Sequence, residues 1–166
     1  MASILKVDEV QDISGKKILQ NTGGVLQVKQ QVFSTFATFT SNSYVDTGIT
    51  LNITPTSASS KILVLAGIQC SNGSSVNANE TGFQIVRDST SIRVFERPIF
   101  VWNQGGDNTA VDANIALNFL DSPSTTSETT YKVQAIENSS GTMRINDYFS
   151  SSGNGCSTLT LMEISG

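Results

Sequence analysis

The segment from residue 47 to residue 69, TGITLNITPTSASSKILVLAGIQ, contains two different apolar patterns separated by a turn rich in Ser and Pro. In the first pattern Ile49, Leu51 and Ile53 alternate with polar residues. Side chains of a strand point to opposite faces in turn, so this spacing predicts a strand with one buried face and one wetted face. Because the period is two and not that of a helix, the segment indicates a sheet.

The second pattern is an unbroken apolar run formed by Ile62, Leu63, Val64 and Leu65. A run without polar interruption is typical of a strand that is covered on both faces. The cover would come from a second sheet or from a neighbouring subunit. We interpret the two strands of this segment as the core of a β-sandwich.

Further segments show alternating or apolar strand patterns and end at turn residues. They are residues 25–33, 81–87, 91–95, 110–120, 129–136, 142–145 and 157–164. Two of them flank Asp88-Ser89-Thr90 and two flank residues 137–141, so each pair predicts a hairpin. Roughly eight to ten strands with regularly spaced turns are typical of a sandwich or barrel. Within this all-β class we predict an antiparallel, jelly-roll-like double sheet.

Composition limits the size of the fold and the kind of surface. A chain of 166 residues is long enough for one core and leaves little room for two. Charged residues make up 14% of it, against about 25% in ordinary soluble domains, so most exposed positions carry neutral polar groups. With a net charge of -4 and no basic run, the chain lacks the electrostatic footprint of a protein that binds nucleic acid or an anionic membrane. It also has no apolar segment long enough for membrane insertion.

The first residues and the cysteines bear on the compartment of the protein. Residues 1–8 lack the apolar stretch that forms the core of a signal peptide, so we expect synthesis in a cytoplasm. Cys70 and Cys156 are the only cysteines. They are either two buried thiols or one disulfide, and we favour buried thiols because free Cys commonly packs as a small hydrophobe.

The N-terminal residues 1–24 predict an arm. They contain too few apolar residues to make a core of their own. An ordered chain terminus is normally held by contacts with its own domain or with a partner. We expect the arm to dock on a partner, and the alternative is an edge strand of its own domain. The predicted organisation is an arm at 1–24, a linker or strand at 25–40, and a β-sandwich at 41–166.

Residue types that carry catalysis are sparse. The chain has no His, which removes the commonest general base and metal ligand, and its cysteines form no CxxC pair. The sequence allows a carboxylate pair of the glycosidase type, for example Asp107 and Asp112. Ordinary carboxylates exposed to solvent explain both residues equally well. No nucleophile and base can be assembled, so we predict that the protein is not an enzyme and uses no cofactor or metal.

The segment 97–107, RPIFVWNQGGD, predicts an exposed loop with aromatic residues. Aromatic side chains next to amides are the types that stack on sugars or anchor interfaces. The alternative is that the two aromatic residues close one end of the sandwich or pack at a subunit interface. The candidate receptor or tip contacts are Phe100, Trp102, Asn103, Gln104 and Asp107.

Four segments carry a resemblance to a known family. They are ILKVDEVQDISGKKIL, YVDTGITLNITPTSASSKILVLAGI, DSPSTTSETTYKVQA and STLTLMEISG. Together they resemble small virion structural proteins of tailed phages, especially marine and cyanobacterial ones. These are tail-fibre or head-fibre proteins with a short N-terminal attachment segment and a C-terminal β-sandwich. The resemblance spans almost the whole chain and includes no catalytic motif.

The resemblance implies a homotrimeric tail-fibre-like protein of the virion, assembled in the host cytoplasm. Its arm would be held by capsid or tail proteins, and its outer loops would meet the host surface, including a surface glycan. One alternative is a head-decoration protein that cements the capsid, and another is a carbohydrate-binding module. The residues expected to anchor the arm are Ile4, Leu5, Val7, Val10, Ile13, Ile18 and Leu19.

Overall fold

A computed structural model describes residues 10–11, 13–14, 17–19, 23–74, 78–102, 109–138, 141–148 and 155–166. These residues form twelve strands joined by turns. The strands are β1 (Val10–Gln11), β2 (Lys17–Leu19), β3 (Val25–Phe33), β4 (Ala37–Phe39), β5 (Val45–Ile53), β6 (Lys61–Ser74), β7 (Ala78–Arg87), β8 (Thr90–Trp102), β9 (Thr109–Asp121), β10 (Thr129–Glu137), β11 (Thr142–Ile145) and β12 (Ser157–Ile164). In this part of the chain, no helix has the length and apolar character needed to cross a membrane.

Eight of the strands form two antiparallel sheets that pack face to face. The first sheet has the order β3-β12-β6-β9, and the second has the order β5-β10-β7-β8. Along the chain, these strands lie in the first, second, first, second, second, first, second and first sheet. This connectivity is that of the two Greek keys of a jelly roll, so the predicted fold class is confirmed. The short strands β4 and β11 extend the first sheet beyond β12, where β11 pairs with the second half of β6.

The core lies between the two sheets and is built from the inward positions of the long strands. Burial alternates along β10 and β12 with the period of two that their sequences predict. In β5, Ile49 and Ile53 are buried and Leu51 is half-buried, which confirms the predicted strand with one buried face. The largest fully buried side chains are Tyr131, Phe83, Ile49, Ile53, Ile62, Ile68, Ile85, Leu117, Met143, Ile145, Leu159 and Leu161.

The apolar run of β6 is covered on one face only. Ile62 and Val64 are buried against the second sheet, whereas Leu63 is half-buried and Leu65 is 37% exposed on the opposite face. Of the two predicted sources of cover, the second sheet covers one face of the run only, because a two-layer sandwich has no third layer outside the first sheet. Cover by a neighbouring subunit stays a prediction.

One of the two predicted hairpins forms. Strands β7 and β8 pair around a turn in which Asp88 has a φ of 53° and accepts a hydrogen bond from the Thr130 amide at 3.0 Å. The predicted hairpin between β10 and β11 is wrong. Both edges of β10 are already occupied by β5 and β7, so the chain crosses to the first sheet and β11 pairs there with β6 and β4.

The segment predicted as an aromatic loop begins as a strand. The register of β7 with β8 shifts between Phe83 and Thr81, and Arg97 has a φ of 51°, so residues 96–98 form a bulge. Pro98, which has no amide hydrogen, is accommodated by this irregularity, and pairing resumes at the buried Ile99. The loop prediction is therefore wrong for residues 97–102, which belong to β8.

The described residues of the arm form a separate two-stranded sheet. Strands β1 and β2 are antiparallel, with Val10 opposite Leu19, and Ile13 lies exposed in the turn between them. Ile18 occupies the middle of β2, whereas Ile4, Leu5 and Val7 lie outside the described residues. The anchoring role of these seven residues, and the division of the chain into arm and sandwich, stay predictions.

Both cysteines are free thiols, in contrasting environments. Cys70 is buried on the inner face of β6, and burial, together with the nearby Asp112 carboxylate, raises the pKa of its thiol to about 12. Cys156 is exposed just before β12 begins. The prediction of unbridged thiols is confirmed, but the prediction that both are buried is wrong for Cys156, because Ser157 takes the first inward position of that strand.

Candidate functional site

The outer face of the first sheet carries a continuous set of uncharged residues, which we name the uncharged face. Three positions from each of the four strands point outward in matching registers. None of the twelve side chains is charged. They are Val28, Gln30 and Val32 of β3; Thr158, Thr160 and Met162 of β12; Leu63, Leu65 and Gly67 of β6; and Ala116, Asn118 and Leu120 of β9.

One row of the uncharged face is apolar from edge to edge of the sheet. Val28 is opposite Met162, Met162 is opposite Leu63, and Leu63 is opposite Leu120. Val28 is 55% exposed and Leu120 is 46% exposed, while the two central side chains are half-buried. Large apolar side chains left in contact with water in such a row are typical of a protein interaction surface.

Charged residues limit the uncharged face at both ends. Lys61 is exposed at the start of β6, next to the row that contains Leu63. At the other end, Ser71 lies between Arg144 of β11 and Asp112 of β9. The uncharged area is therefore a bounded surface within the sheet.

The outer face of the second sheet is hydrogen-bonded within itself. Asp46 Oδ1 accepts a bond from Gln134 Nε2 at 2.6 Å, Gln134 Oε1 accepts one from Gln84 Nε2 at 2.5 Å, and Gln84 Oε1 accepts one from Ser91 Oγ at 2.7 Å. This series of hydrogen bonds, which we name the polar ladder, crosses all four strands of the second sheet. Lys132 adds an ion pair to Asp46 at 2.9 Å, and the hydrogen bond from Gln134 is the main cause of the lowered pKa of Asp46.

Glu163 connects three segments by hydrogen bonds at one end of the sandwich. Its Oε1 accepts hydrogen bonds from the amide and the hydroxyl of Thr56, both at 2.7 Å, and its Oε2 accepts one from Gln27 Nε2 at 2.6 Å. Burial alone would raise the pKa of this carboxyl. The hydrogen bonds to the carboxylate more than offset burial and lower the pKa to about 2, so Glu163 joins β12, β3 and the loop after β5 in its charged form.

Because its pKa is lowered, the Glu163 carboxylate should make the free energy of unfolding fall at acid pH. The pKa of Glu163 is about 2 in the folded protein against an ordinary value of 4.5, so its contribution is present above pH 4.5 and is lost as the pH falls towards 2. We expect a loss of about 2 kcal/mol in the free energy of unfolding from this group over that window, after allowance for solvent near the loop. Urea unfolding at several pH values measures it.

Glu163→Gln provides the control for the acid effect. The variant should be less stable than the wild type at pH 7, because an amide cannot accept from all three donors. It should also lose stability less steeply between pH 4.5 and 2. An equally steep acid dependence in Glu163→Gln would show that other carboxyls carry the effect.

A second polar cluster joins the two sheets. Asp121, at the end of β9, accepts hydrogen bonds from the fully buried Tyr131 hydroxyl at 2.7 Å and from Arg87 Nη1 at 2.8 Å. Burial, and then the bond to Asp121, raise the pKa of the Tyr131 hydroxyl. Sequence reasoning missed this cluster, because its three members come from different strands and no local spacing connects them.

A groove lies beside Glu163 at the same end of the molecule. Its volume is about 480 Å³, and it is lined by Leu26, Thr56, Ser57, Ser59, Ser60, Ser165 and Gly166. No side chain of this lining is titratable, so the groove offers hydroxyl groups and no acid–base pair. Within the described ranges, no group of three or more Cys, Asp or Glu side chains is placed to hold a metal ion.

The candidate tip residues are only partly placed. Phe100 and Trp102 occupy positions in the last part of β8, opposite Glu80 and Ala78 of β7. Asn103, Gln104 and Asp107 lie outside the described residues. Their role in receptor contact therefore stays a prediction.

Comparisons with known proteins give distant structural similarity alone. The chain matches no protein-family model and no curated protein. It is similar to a chain of the T13 viral particle of infectious bursal disease virus, with a TM-score of 0.37 and 12% identity over 96% of this chain and 41% of that one. It is also similar to the VP2 subviral particle of the same virus, with a TM-score of 0.38 and 10% identity over 84% of this chain and 41% of that one. The chain thus spans less than half the length of these structures, and its fold class rests on its own strand order.

Proposed function

We propose that this protein is a structural component of a virus particle that works by packing against other proteins and not by catalysis. The observation that carries the proposal is the difference between the two outer faces of the jelly roll. One face satisfies its polar groups within the polar ladder, whereas the other exposes an apolar row from edge to edge. Such a two-sided sandwich suits a subunit with one face towards solvent and one towards a protein partner.

Within this role, we propose a homotrimeric fibre-like protein of a tailed phage. The resemblance of four sequence segments to phage fibre proteins supports this finer assignment. The arm at residues 1–24 would attach the protein to the capsid or tail through its apolar residues, and the segment around Trp102 would meet the host surface. A host glycan is the expected ligand there, since aromatic and amide side chains suit stacking on a sugar.

A head-decoration protein is the second candidate. The uncharged face would then bury apolar area against capsid subunits and stabilise the shell, with no contact to the host. The two candidates differ in the expected effect of Trp102→Ala. A fibre with this variant should enter particles normally and adsorb to the host less well, whereas a decoration protein should show no change in adsorption.

Removal of the arm tests the attachment. The deletion should end at residue 22, because Gly23 and Gly24 form three hydrogen bonds with Ser165 that close the sandwich. We expect the truncated chain to fold and to be missing from purified particles, measured by mass spectrometry against full-length protein expressed in the same way. Particles that contain the truncated chain at the normal level would contradict the attachment role.

A further inference from the structure

We infer that the uncharged face is the surface through which two copies of this chain pack against each other. This inference rests on the proposed function, because it assigns the contact surface of the self-association proposed above. Its occupant is a second copy of the chain. Three properties of the face support this assignment: its lack of charge, its polar pattern and its extent.

The first property is electrostatic. The chain has a net charge of -4, so two copies repel each other over most of their surfaces. The uncharged face is a region of the first sheet where two copies can approach without setting like charges against each other. A partner of high positive charge would instead be matched by a face that carries carboxylates, and none lies among its twelve residues.

The second property is self-complementarity. Surfaces of identical copies must match each other, which an apolar row does without any fixed pairing of donors and acceptors. The polar positions next to the row are neutral as well, and Gln30 already donates a hydrogen bond to Thr160 Oγ1 at 2.7 Å. Burial of this pair therefore leaves fewer groups in need of a partner than burial of free amides would.

The third property is extent. Four strands about 4.8 Å apart and three rows about 7 Å apart give the face a flat area of roughly 400 Å². A standard interface buries about 800 Å² per partner, so the face supplies about half of that area. The apolar surface continues at Val25, which is 51% exposed opposite Ile164, in the row where Lys61 limits the face on β6. Because this area is below that of a standard interface, we expect a weak self-association whose degree rises with protein concentration.

A matched pair of Glu substitutions tests the assignment. Val28→Glu places a carboxylate in the apolar row, and Val94→Glu places one at a similarly exposed Val, 40% exposed, on β8 of the other sheet. Sedimentation of the full-length chain across a range of concentrations measures the association. We expect Val28→Glu to weaken it by about tenfold or more, because the contact then buries a carboxylate among apolar side chains, and Val94→Glu to leave it unchanged.

A second variant protects the test against a folding defect. Leu120→Glu lies at the opposite end of the row, on β9, and should weaken association in the same way while the circular dichroism spectrum stays that of the wild type. A wild type that is monomeric at every concentration overturns the inference. Association that is unchanged in both Val28→Glu and Leu120→Glu, or that is lost only in Val94→Glu, overturns it as well.

The particle experiment separates this inference from the proposed function. A monomeric protein that still enters particles would overturn the uncharged face as a self-association surface and leave the virion role standing. A protein that associates through this face in solution but is absent from particles would overturn the virion role and leave the assignment of the face standing.

Discussion

Val64→Asp is expected to abolish folding, whereas Leu65→Asp is expected to leave a folded chain. The two residues are neighbours in β6 and point to opposite faces. Val64 is fully buried between the sheets, and Leu65 is 37% exposed on the uncharged face. A carboxylate at position 64 has no partner in the core, and such changes cost about 4 kcal/mol or more, a large part of the roughly 5–15 kcal/mol that stabilises a domain.

Circular dichroism and urea unfolding of both variants provide the measurement. Val64→Asp should show no cooperative transition, and Leu65→Asp should retain one within about 1 kcal/mol of the wild type. The same pair separates folding from assembly, since Leu65→Asp should lose self-association while it keeps its fold. A folded Val64→Asp, or an unfolded Leu65→Asp, would show that the two faces of β6 are assigned the wrong way round.

Asp121→Ala is expected to be a strongly destabilising change of a buried carboxylate. It removes the acceptor of the buried Tyr131 hydroxyl and the ion-pair partner of Arg87 at once. The loss of both interactions across the two sheets should cost about 3 kcal/mol, since a buried polar group and a partly buried charge are left unpaired. For a domain of this size, that corresponds to a fall of roughly 6–12 °C in Tm.

Tyr131→Phe is the matched control for this cluster. It removes one hydroxyl and leaves the Arg87–Asp121 ion pair intact, so we expect a cost of only about 1 kcal/mol. The Asp121→Ala, Tyr131→Phe double variant should cost less than the sum of the two single changes, because the two residues share one hydrogen bond. Full additivity would mean that Tyr131 and Asp121 do not interact in solution.

Much of the fold could be predicted from the sequence because strand periodicity is a local signal. The alternation of Ile49, Leu51 and Ile53 indicated β5 and its buried face, and the alternation in residues 110–120 indicated β9. The unbroken run of β6 was harder to interpret. An apolar run shows that the side chains on both faces are apolar, but it does not show whether the second face is covered by the same chain or by another one.

Connections between the sheets could not be predicted in the same way. The turn residues after Glu137 indicate that the chain changes direction, yet they do not show that both edges of β10 are already paired. The bulge at Arg97 likewise lets β8 continue beyond Pro98, where the sequence alone indicated a loop. In both places the outcome depends on strands that are distant in the chain.

The proposed interaction surface was the part least accessible to sequence reasoning. Val28, Met162, Leu63 and Leu120 come from four separate strands, and only their registers bring them into one row. The same holds for the polar ladder, whose members are spread from Asp46 to Gln134. Neither surface has a local motif, so each became visible only when the strand order was known.

Light scattering of the full-length chain and of the chain that begins at residue 23 tests the account most directly. We expect both forms to exceed the monomer mass, which is 17.7 kDa for the full-length chain, because the sandwich carries the contacts and the arm does not. Two copies joined through the uncharged face alone give two times 17.7 kDa or about 35 kDa, and the homotrimer proposed above gives three times 17.7 kDa or about 53 kDa. Both forms should be associated at concentrations where Val28→Glu is monomeric. Monomers in both forms, or a trimer that forms only when residues 1–22 are present, would contradict self-association through the uncharged face.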